Sequence, residues 1–287
     1  EAESAEDESV LVEATPVTVR ALERTIQAVG SLRSQESVII RPEIPGIINS
    51  IDFKEGQAVE KGQLLITIRD GVPAADLYEA QAQLRLSIAN EKRARELAAK
   101  GSGTVRSLDE AKASKEVNLA RVALAKARVA KYSLRAPFDG VLGLRRVSAG
   151  DYLIPGQDVV NLEAVDTLKV DFRIPETYFS LLKVDQRVNI SVDAYKGRSF
   201  SGTVYAIDPL VDPEGRSIAV RARILNPDSV LAPGLFARVS LIVNVNGGAI
   251  LIPEQATMPR GKEQFVFRII DGKVSTTKVV PGQRREG

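Results

Sequence analysis

One stretch of the chain is a second copy of another, displaced by 94 positions. Pro45-Gly46-Ile47-Ile48, Glu55-Gly56-Gln57 and Lys61-Gly62-Gln63 recur as Asp139-Gly140-Val141-Leu142, Ala149-Gly150-Asp151 and Pro155-Gly156-Gln157. Gly46, Gly56 and Gly62 therefore fall on Gly140, Gly150 and Gly156. Apolar residues coincide as well: Ile44 with Phe138, Phe53 with Val147, Val59 with Leu153, Leu65 with Val159, Ile68 with Leu162. Each half is too short to bury a core alone, so the two must pair across whatever separates them. The repeat glycines, Glu55-Gly56 and Ala149-Gly150 above all, read as turn positions needing positive φ or close backbone approach. They are assigned to structure, with no ligand.

The insertion between the halves has a different character. From Ala74 to Lys131, glycine and proline vanish apart from Gly101 and Gly103, and Ala, Leu, Glu, Lys, Arg and Gln dominate. These are the strongest helix formers. The spacing predicts a first helix over about Ala75–Ala99, with Leu77, Leu84 and Ile88 on one stripe, after a break at Gly71 and Pro73. A second is predicted over about Leu108–Lys131, with Ala113, Val117, Ala120, Leu124 and Ala127 as its seam. Ser107, with Glu110 three residues on, predicts a capping box. Lys100 to Arg106 supplies the turn of an antiparallel hairpin whose arms extend about 35–40 Å. Such a stripe also suits two helices buried in a bundle, but no further helices are predicted to bundle with, so the hairpin is expected to protrude. Its seam includes polar residues such as Gln81 and Glu91. A weakly apolar arm of this kind suits lateral packing on copies of itself or on a partner.

Outside this unit the sequence is strand-rich. Val10 to Ser31 alternates in β fashion, and Leu168 to Val245 carries regularly spaced short strands with one short helix after Pro175. That pattern predicts a small antiparallel barrel. Further strands are predicted at Ile250–Ile252, Gln264–Ile270 and Val274–Val280, so the two ends of the chain are expected to build one unit together.

Composition removes most catalytic classes. The 287 residues contain no cysteine, no histidine and one methionine, Met258. Thiol nucleophiles, zinc–thiolate sites, serine–histidine triads and imidazole bases are thereby excluded within this sequence, and soft-metal handling is unsupported. Carboxylate-only chemistry stays open. A net charge of +2, with Lys and Arg spread along the chain, gives no basic face for nucleic acid. No apolar run approaches the roughly 20 residues that span a bilayer. No cofactor is expected.

The half-repeats resemble lipoyl or biotinyl carrier domains, but the hairpin stands where such carriers hold their modified lysine. Arg135 to Val141, Gly150-Asp151-Tyr152, Val170 to Glu176 and Pro233 to Val239 carry a wider resemblance. In this order they are similar to the periplasmic adaptors (membrane fusion proteins, HlyD-like) of Gram-negative multidrug efflux pumps, most of all those serving resistance-nodulation-division transporters. The resemblance implies a mainly β chain with an inserted coiled-coil hairpin, a lipoyl-like barrel-sandwich hybrid domain, a small antiparallel β-barrel and a partial membrane-proximal β domain. Residues 1–9, rich in Glu and Asp, read as an acidic, disordered leader; the resemblance implies a membrane-proximal unit from 10–31 with 246–287, and a lipoyl-like unit from 32–73 with 132–165. The hairpin then occupies 74–131 and the barrel 166–245, with the last strand expected to be truncated.

What the family implies is non-catalytic. Such adaptors form rings, often hexamers as trimers of dimers, between a proton-driven inner-membrane transporter and a TolC-type outer-membrane channel. They sit in the periplasm, anchored by an N-terminal lipid or helix expected to lie outside this sequence. The hairpin-tip motif, an Arg, a Leu four residues on and a Ser seven beyond, falls on Arg93, Leu97 and Thr104. Thr104 keeps the hydroxyl and adds a methyl, and Gly101-Ser102-Gly103 replaces the family's Gly-Ala-Val turn. Read as residues alone, Arg93 is equally a solvated helix arginine and Leu97 equally a coiled-coil contact. An adaptor for an ATP-driven, major-facilitator or heavy-metal exporter, and an unmodified carrier domain, stay open as alternatives.

Overall fold

The computed structural model describes residues 12–282; the acidic leader at 1–9 and the last residues, 283–287, lie outside them. The chain begins with β1 (Thr18–Ser34), then β2 (Ser37–Ile40), β3 (Gly46–Ile51), β4 (Ala58–Val59) and β5 (Leu64–Ile68). Two helices follow, α1 (Gly71–Ala99) and α2 (Val105–Ala130), then β6 (Ser133–Arg135), β7 (Gly140–Leu142), β8 (Tyr152–Leu153) and β9 (Val160–Glu163). The two repeat halves interlock as facing sheets ordered β2-β9-β7-β4 and β6-β5-β3-β8, so each sheet mixes strands of both halves. Ile48, Leu65, Ile66, Ile68, Leu142, Leu153, Val159 and Leu162 are buried between them. Each such aliphatic side chain is worth roughly 1.5–3 kcal/mol.

The repeat is visible in the hydrogen bonds, which cross between halves in reciprocal pairs. The Gly56 N–H donates to the Leu142 carbonyl (3.0 Å) and the Gly150 N–H to the Ile48 carbonyl (3.1 Å). Gly62 donates to Ala136 (2.7 Å), and Gly156 to Pro42 (2.9 Å). Side chains repeat too: Gln57 Oε1 accepts the Lys54 N–H, as Asp151 Oδ2 accepts that of Ser148. The glycines divide by the same symmetry. Gly56, Gly62, Gly150 and Gly156 have φ of +74°, +85°, +93° and +80° with open space around them. At Gly46 and Gly140 the backbone is crowded instead: an added Cβ would meet Ile68 Cγ2 and the Glu163 carbonyl oxygen, each at 2.5 Å.

The second half of the chain supplies β10 (Thr167–Pro175), a short 3-10 helix at Glu176–Leu181, β11 (Arg187–Val192), β12 (Phe200–Asp212), β13 (Ser217–Leu225) and β14 (Phe236–Leu251). They close with the first strand into a barrel ordered β1-β10-β13-β12-β11-β14. Alternation sends Leu168, Val170, Phe172 and Ile174 of β10 inward against Ile218, Val220 and Ile224 of β13. Outside, Asp171 accepts two hydrogen bonds from Arg221 and lies 3.3 Å from Arg33. Finally β15 (Thr257–Arg260), β16 (Glu263–Ile270) and β17 (Lys273–Val279) form a separate three-stranded sheet.

The expected boundaries at 31/32 and 245/246 need correction. Both fall inside continuous strands, because β1 pairs with β14 from Thr18↔Leu251 to Ser31↔Phe236 and with β10 from Gly30 to Ser34. Ile26 and Leu32 are committed to the barrel core, so the N-terminal strand is a barrel strand along its C-terminal half. The helix start is also earlier than expected. Gly71 and Pro73 open α1, where proline in the first turn forfeits no intrahelical bond.

The glycine classes set two expectations for chemical denaturation. Gly140→Ala should lose about 1–3 kcal/mol by overpacking against the Glu163 carbonyl. Gly150→Val should also destabilise, by placing a β-branched residue at positive φ. Unchanged midpoints would contradict the assignment of these residues.

Candidate functional site

The helices α1 and α2 pack on each other, and their termini return to neighbouring strands: β5 pairs with β6 through Leu64↔Arg135, Ile66↔Leu134 and Thr67↔Ser133. At 29 residues, α1 spans about 44 Å. Its inward stripe is Leu77, Ala80, Leu84, Ser87, Glu91, Ala94 and Ala98, in strict alternation of threes and fours. The facing stripe of α2 is Leu108, Ala111, Lys115, Asn118, Val122, Ala125 and Val129.

This overturns the expected seam of the second helix. Ala113, Val117, Ala120, Leu124 and Ala127 form a heptad stripe that faces outward, with Val117 52% and Leu124 55% exposed. Ile88 is likewise exposed. Two apolar heptad stripes coexist on α2, and apolarity alone does not say which one meets α1. The polar residues decide it: Asn118 is buried, and Glu91 faces Lys115 at 3.9 Å.

At the hairpin tip, Arg93 and Leu97 lie one turn apart on α1, both exposed, with Leu97 at 50%. Arg93 donates to Asn90 of its own helix. The Leu97 carbonyl accepts the N–H groups of Ser102 and Gly103, which closes the turn, and Gly101 adopts φ +70°. Thr104 follows directly, so Leu97 and Thr104 flank the same turn. Sequence reasoning passed over Val105, which adds an exposed apolar side chain beside them.

Thr104 has a role that the capping-box expectation gave to Ser107. Its Oγ1 accepts the Ser107 N–H (3.1 Å), making Thr104 the N-cap, while the Ser107 hydroxyl donates back to the Thr104 carbonyl (2.8 Å). Glu110 pairs with Arg106 instead. The signal was present as a hydroxyl residue directly before the first helical turn. Elsewhere, the Arg173 hydrogen bond holds the Asp212 carboxyl below its ordinary range, and Asp171 holds Arg221 above the guanidinium's. Both pairs stitch strands of the barrel wall. Among the described residues no helix is long and apolar enough to cross a membrane.

Removing the cap should loosen the tip. Thr104→Ala is expected to cost about 0.5–2 kcal/mol of local helix stability, read as faster hydrogen exchange over the first turn of α2. Thr104→Ser should restore it. Equal exchange in all three proteins would remove the capping role.

Comparison with known proteins adds to this geometry. Residues 36–163 match the family model described as the CzcB-like, barrel-sandwich hybrid domain. Residues 167–244 match that described as the CusB-like, beta-barrel domain. Multidrug resistance protein MdtA of Klebsiella pneumoniae is 28% identical over 298 residues, covering 94% of this chain and 71% of the relative. An uncharacterized protein of Haemophilus influenzae is 27% identical over 246 residues, covering 85% of this chain and 64% of its own length. The chain thus spans 64% and 71% of these two relatives. The fold is shared with a MacA–MexA chimera containing the Pseudomonas aeruginosa MexA α-hairpin domain, at TM-score 0.71 and 22% identity over 83% of this chain and 87% of that one. ZneB from Cupriavidus metallidurans aligns at TM-score 0.50 and 20% identity, over 94% and 85% of the two chains. With the barrel-sandwich hybrid model matched on both sides of the two-helix insertion and the β-barrel model following it, the chain belongs to the membrane fusion proteins, a family of non-catalytic periplasmic adaptors of efflux pumps.

Proposed function

We propose that this adaptor bridges a proton-driven, resistance-nodulation-division transporter of the inner membrane and a TolC-type channel of the outer membrane, in the periplasm and anchored through an N-terminal lipid or helix. The observation that carries the reading is the hairpin: an arm of about 44 Å, rooted in the sandwich, that ends in an exposed leucine beside a capped turn. Arg93, Leu97 and Thr104 are the proposed channel-docking residues. The Thr104 hydroxyl accepts the capping N–H and keeps its own O–H, so Thr104 shapes the turn and retains a donor, while Leu97 supplies the apolar contact and Arg93 the charge. The resistance-nodulation-division assignment draws on the likeness to MdtA, named a multidrug resistance protein, and on the RND-type barrel model matched at residues 167–244. A heavy-metal cargo would call for soft ligands, and this sequence holds no cysteine, no histidine and one methionine.

The outward stripe of α2 supports the second part of the reading, self-association into a ring. Val117 and Leu124, spaced by alanines, present a small-and-large apolar surface that the chain itself leaves uncovered. An exposed seam of this length suits the hairpin of a neighbouring copy. The domain partition proposed with it keeps 74–131 as the arm, extends the barrel to include β1, and moves the start of the lipoyl-like unit past that strand, to 35–73 with 132–165.

The absence of cysteine makes the test direct. Single cysteines at Leu97 and, separately, at Arg198 on the barrel's loop should capture an outer-membrane channel and an inner-membrane transporter when the anchored full-length protein is crosslinked in cells. Arg198 is exposed beside Tyr195 and Phe200, within 6 Å of both ring centres (5.9 and 5.6 Å). If Leu97 captured only copies of this chain, the hairpin would be an assembly arm and the bridging function would fall. Leu97→Asp should abolish channel capture and transport while leaving the melting curve unchanged; transport failure with normal capture would count against the docking role. Leu124→Glu should lower copy-to-copy crosslinking between hairpins at least several-fold.

A further inference from the structure

The two most buried residues of α1 are polar, Ser87 at 3% and Glu91 at 5% exposure, and a third, Asn118 at 4%, faces them from α2. The Glu91–Lys115 ion pair fixes the antiparallel register. Counting by threes and fours from it puts Ser87 opposite Asn118. The next layers toward the root are Leu84 with Val122, then Ala80 with Ala125, then Leu77 with Val129. Toward the tip come only Ala94 with Ala111 and Ala98 with Leu108. Leucine–valine layers thus make up two of the three root layers, two polar layers follow, and beyond them alanine fills three of the four positions, with Leu108 as the one larger side chain. At about 0.8 kcal/mol per buried methylene, the outer layers contribute much less cohesion than those at the root.

The polar layers add little across the seam, because their hydrogen bonds run within each helix. The Ser87 hydroxyl donates to the Leu84 carbonyl at 2.8 Å, Arg95 donates to Glu91 one turn back, and Arg121 reaches Asn118 at 3.4 Å. These partners stay in place if the helices separate. The one polar contact across the seam among these groups is Glu91 to Lys115 at 3.9 Å, with the lysine partly in solvent. In a coiled coil a buried polar position fixes register at the expense of stability. Here two of them sit back to back, between a firm root and an alanine-lined outer segment.

We propose that these two layers form a built-in break, at which the outer part of the hairpin, from about residue 92 to residue 114, parts reversibly while the root stays closed. The register is kept by the Glu91–Lys115 pair, so the segment closes again in the same alignment. The turn at Gly101, which adopts φ +70°, joins the two helices of this outer part and accommodates the change in their separation. The tip is therefore an adjustable end on a rigid stalk, and this property does not depend on what it docks to.

Hydrogen exchange on the full chain tests the proposal. Amides over 94–99 and 106–113 should exchange at least about ten-fold faster than those over 79–86 and 120–128. The double variant Glu91→Leu/Lys115→Leu removes both charges together, so no orphaned ion is buried. It should slow the outer amides about ten-fold and leave the root and both sheets unchanged. Ser87→Ala/Asn118→Leu should act in the same direction and serves if the first variant misfolds, as judged by lost protection in the sheets. Uniform exchange along the hairpin, or outer amides as fast as before in a variant whose sheets remain protected, would overturn the proposal.

Discussion

The sandwich and the arm it carries hang on a reciprocal exchange of backbone hydrogen bonds between two sequence-distant halves. The turn glycine of each half donates to a strand carbonyl of the other, at Leu142 and Ile48, and the second pair of glycines repeats the exchange at Ala136 and Pro42. Neither half can satisfy those carbonyls or bury its aliphatic residues without its counterpart. Closure therefore depends on contacts between residues 74 to 114 positions apart, and the cost of ordering so long an intervening segment is limited because that segment folds on itself as a hairpin. The local helices and the non-local sandwich support one another.

The three parts use different physics. The sandwich and the barrel are sealed by fully buried branched aliphatics, and the barrel wall is stitched outside by Arg221–Asp171 and Arg173–Asp212. The hairpin has no comparable core. Its α1 buries a serine and a glutamate, and several of the hairpin's large apolar residues, among them Leu86, Ile88 and Leu124, look outward. A unit so built is stable as a stalk only because its root continues into paired strands, and its uncovered stripe is available for others. Rigidity is concentrated where the chain must hold shape, and adaptability where it must meet something.

Much of this was legible in the sequence, and the misreadings have specific causes. The 94-residue displacement was enough to pair Gly46 with Gly140 and Gly56 with Gly150, because those residues answer to backbone geometry that recurs with the fold. The helices were legible from composition. The seam was not, since α2 carries apolar residues on two heptad stripes and the outer one, with Val117 and Leu124, is unbroken by polar residues; the inner one is interrupted by Asn118 and Lys115, which a hydrophobic count discards. The N-cap was displaced by three residues because Ser107 and Thr104 both offer hydroxyls, and only the position of the first helical turn tells them apart. The N-terminal strand was assigned away from the barrel for a different reason. Alternation shows that a strand has an inner face but not which sheet receives it. For the tip, Arg93 and Leu97 are legible as exposed residues only once the inward stripe is known.

The root of the hairpin has a further meaning for the evolution of length. Because β5 and β6 are already antiparallel neighbours, the sandwich treats all the sequence between Ile68 and Ser133 as a connection, whatever its extent. Seven residues added to each helix would preserve the alternation of threes and fours and move the tip outward by about 10 Å, leaving every strand register untouched. Six or eight would rotate the inward stripe off its partner. The arm is in effect a graduated ruler with one permitted division, and the gap it can bridge changes only in steps of that size.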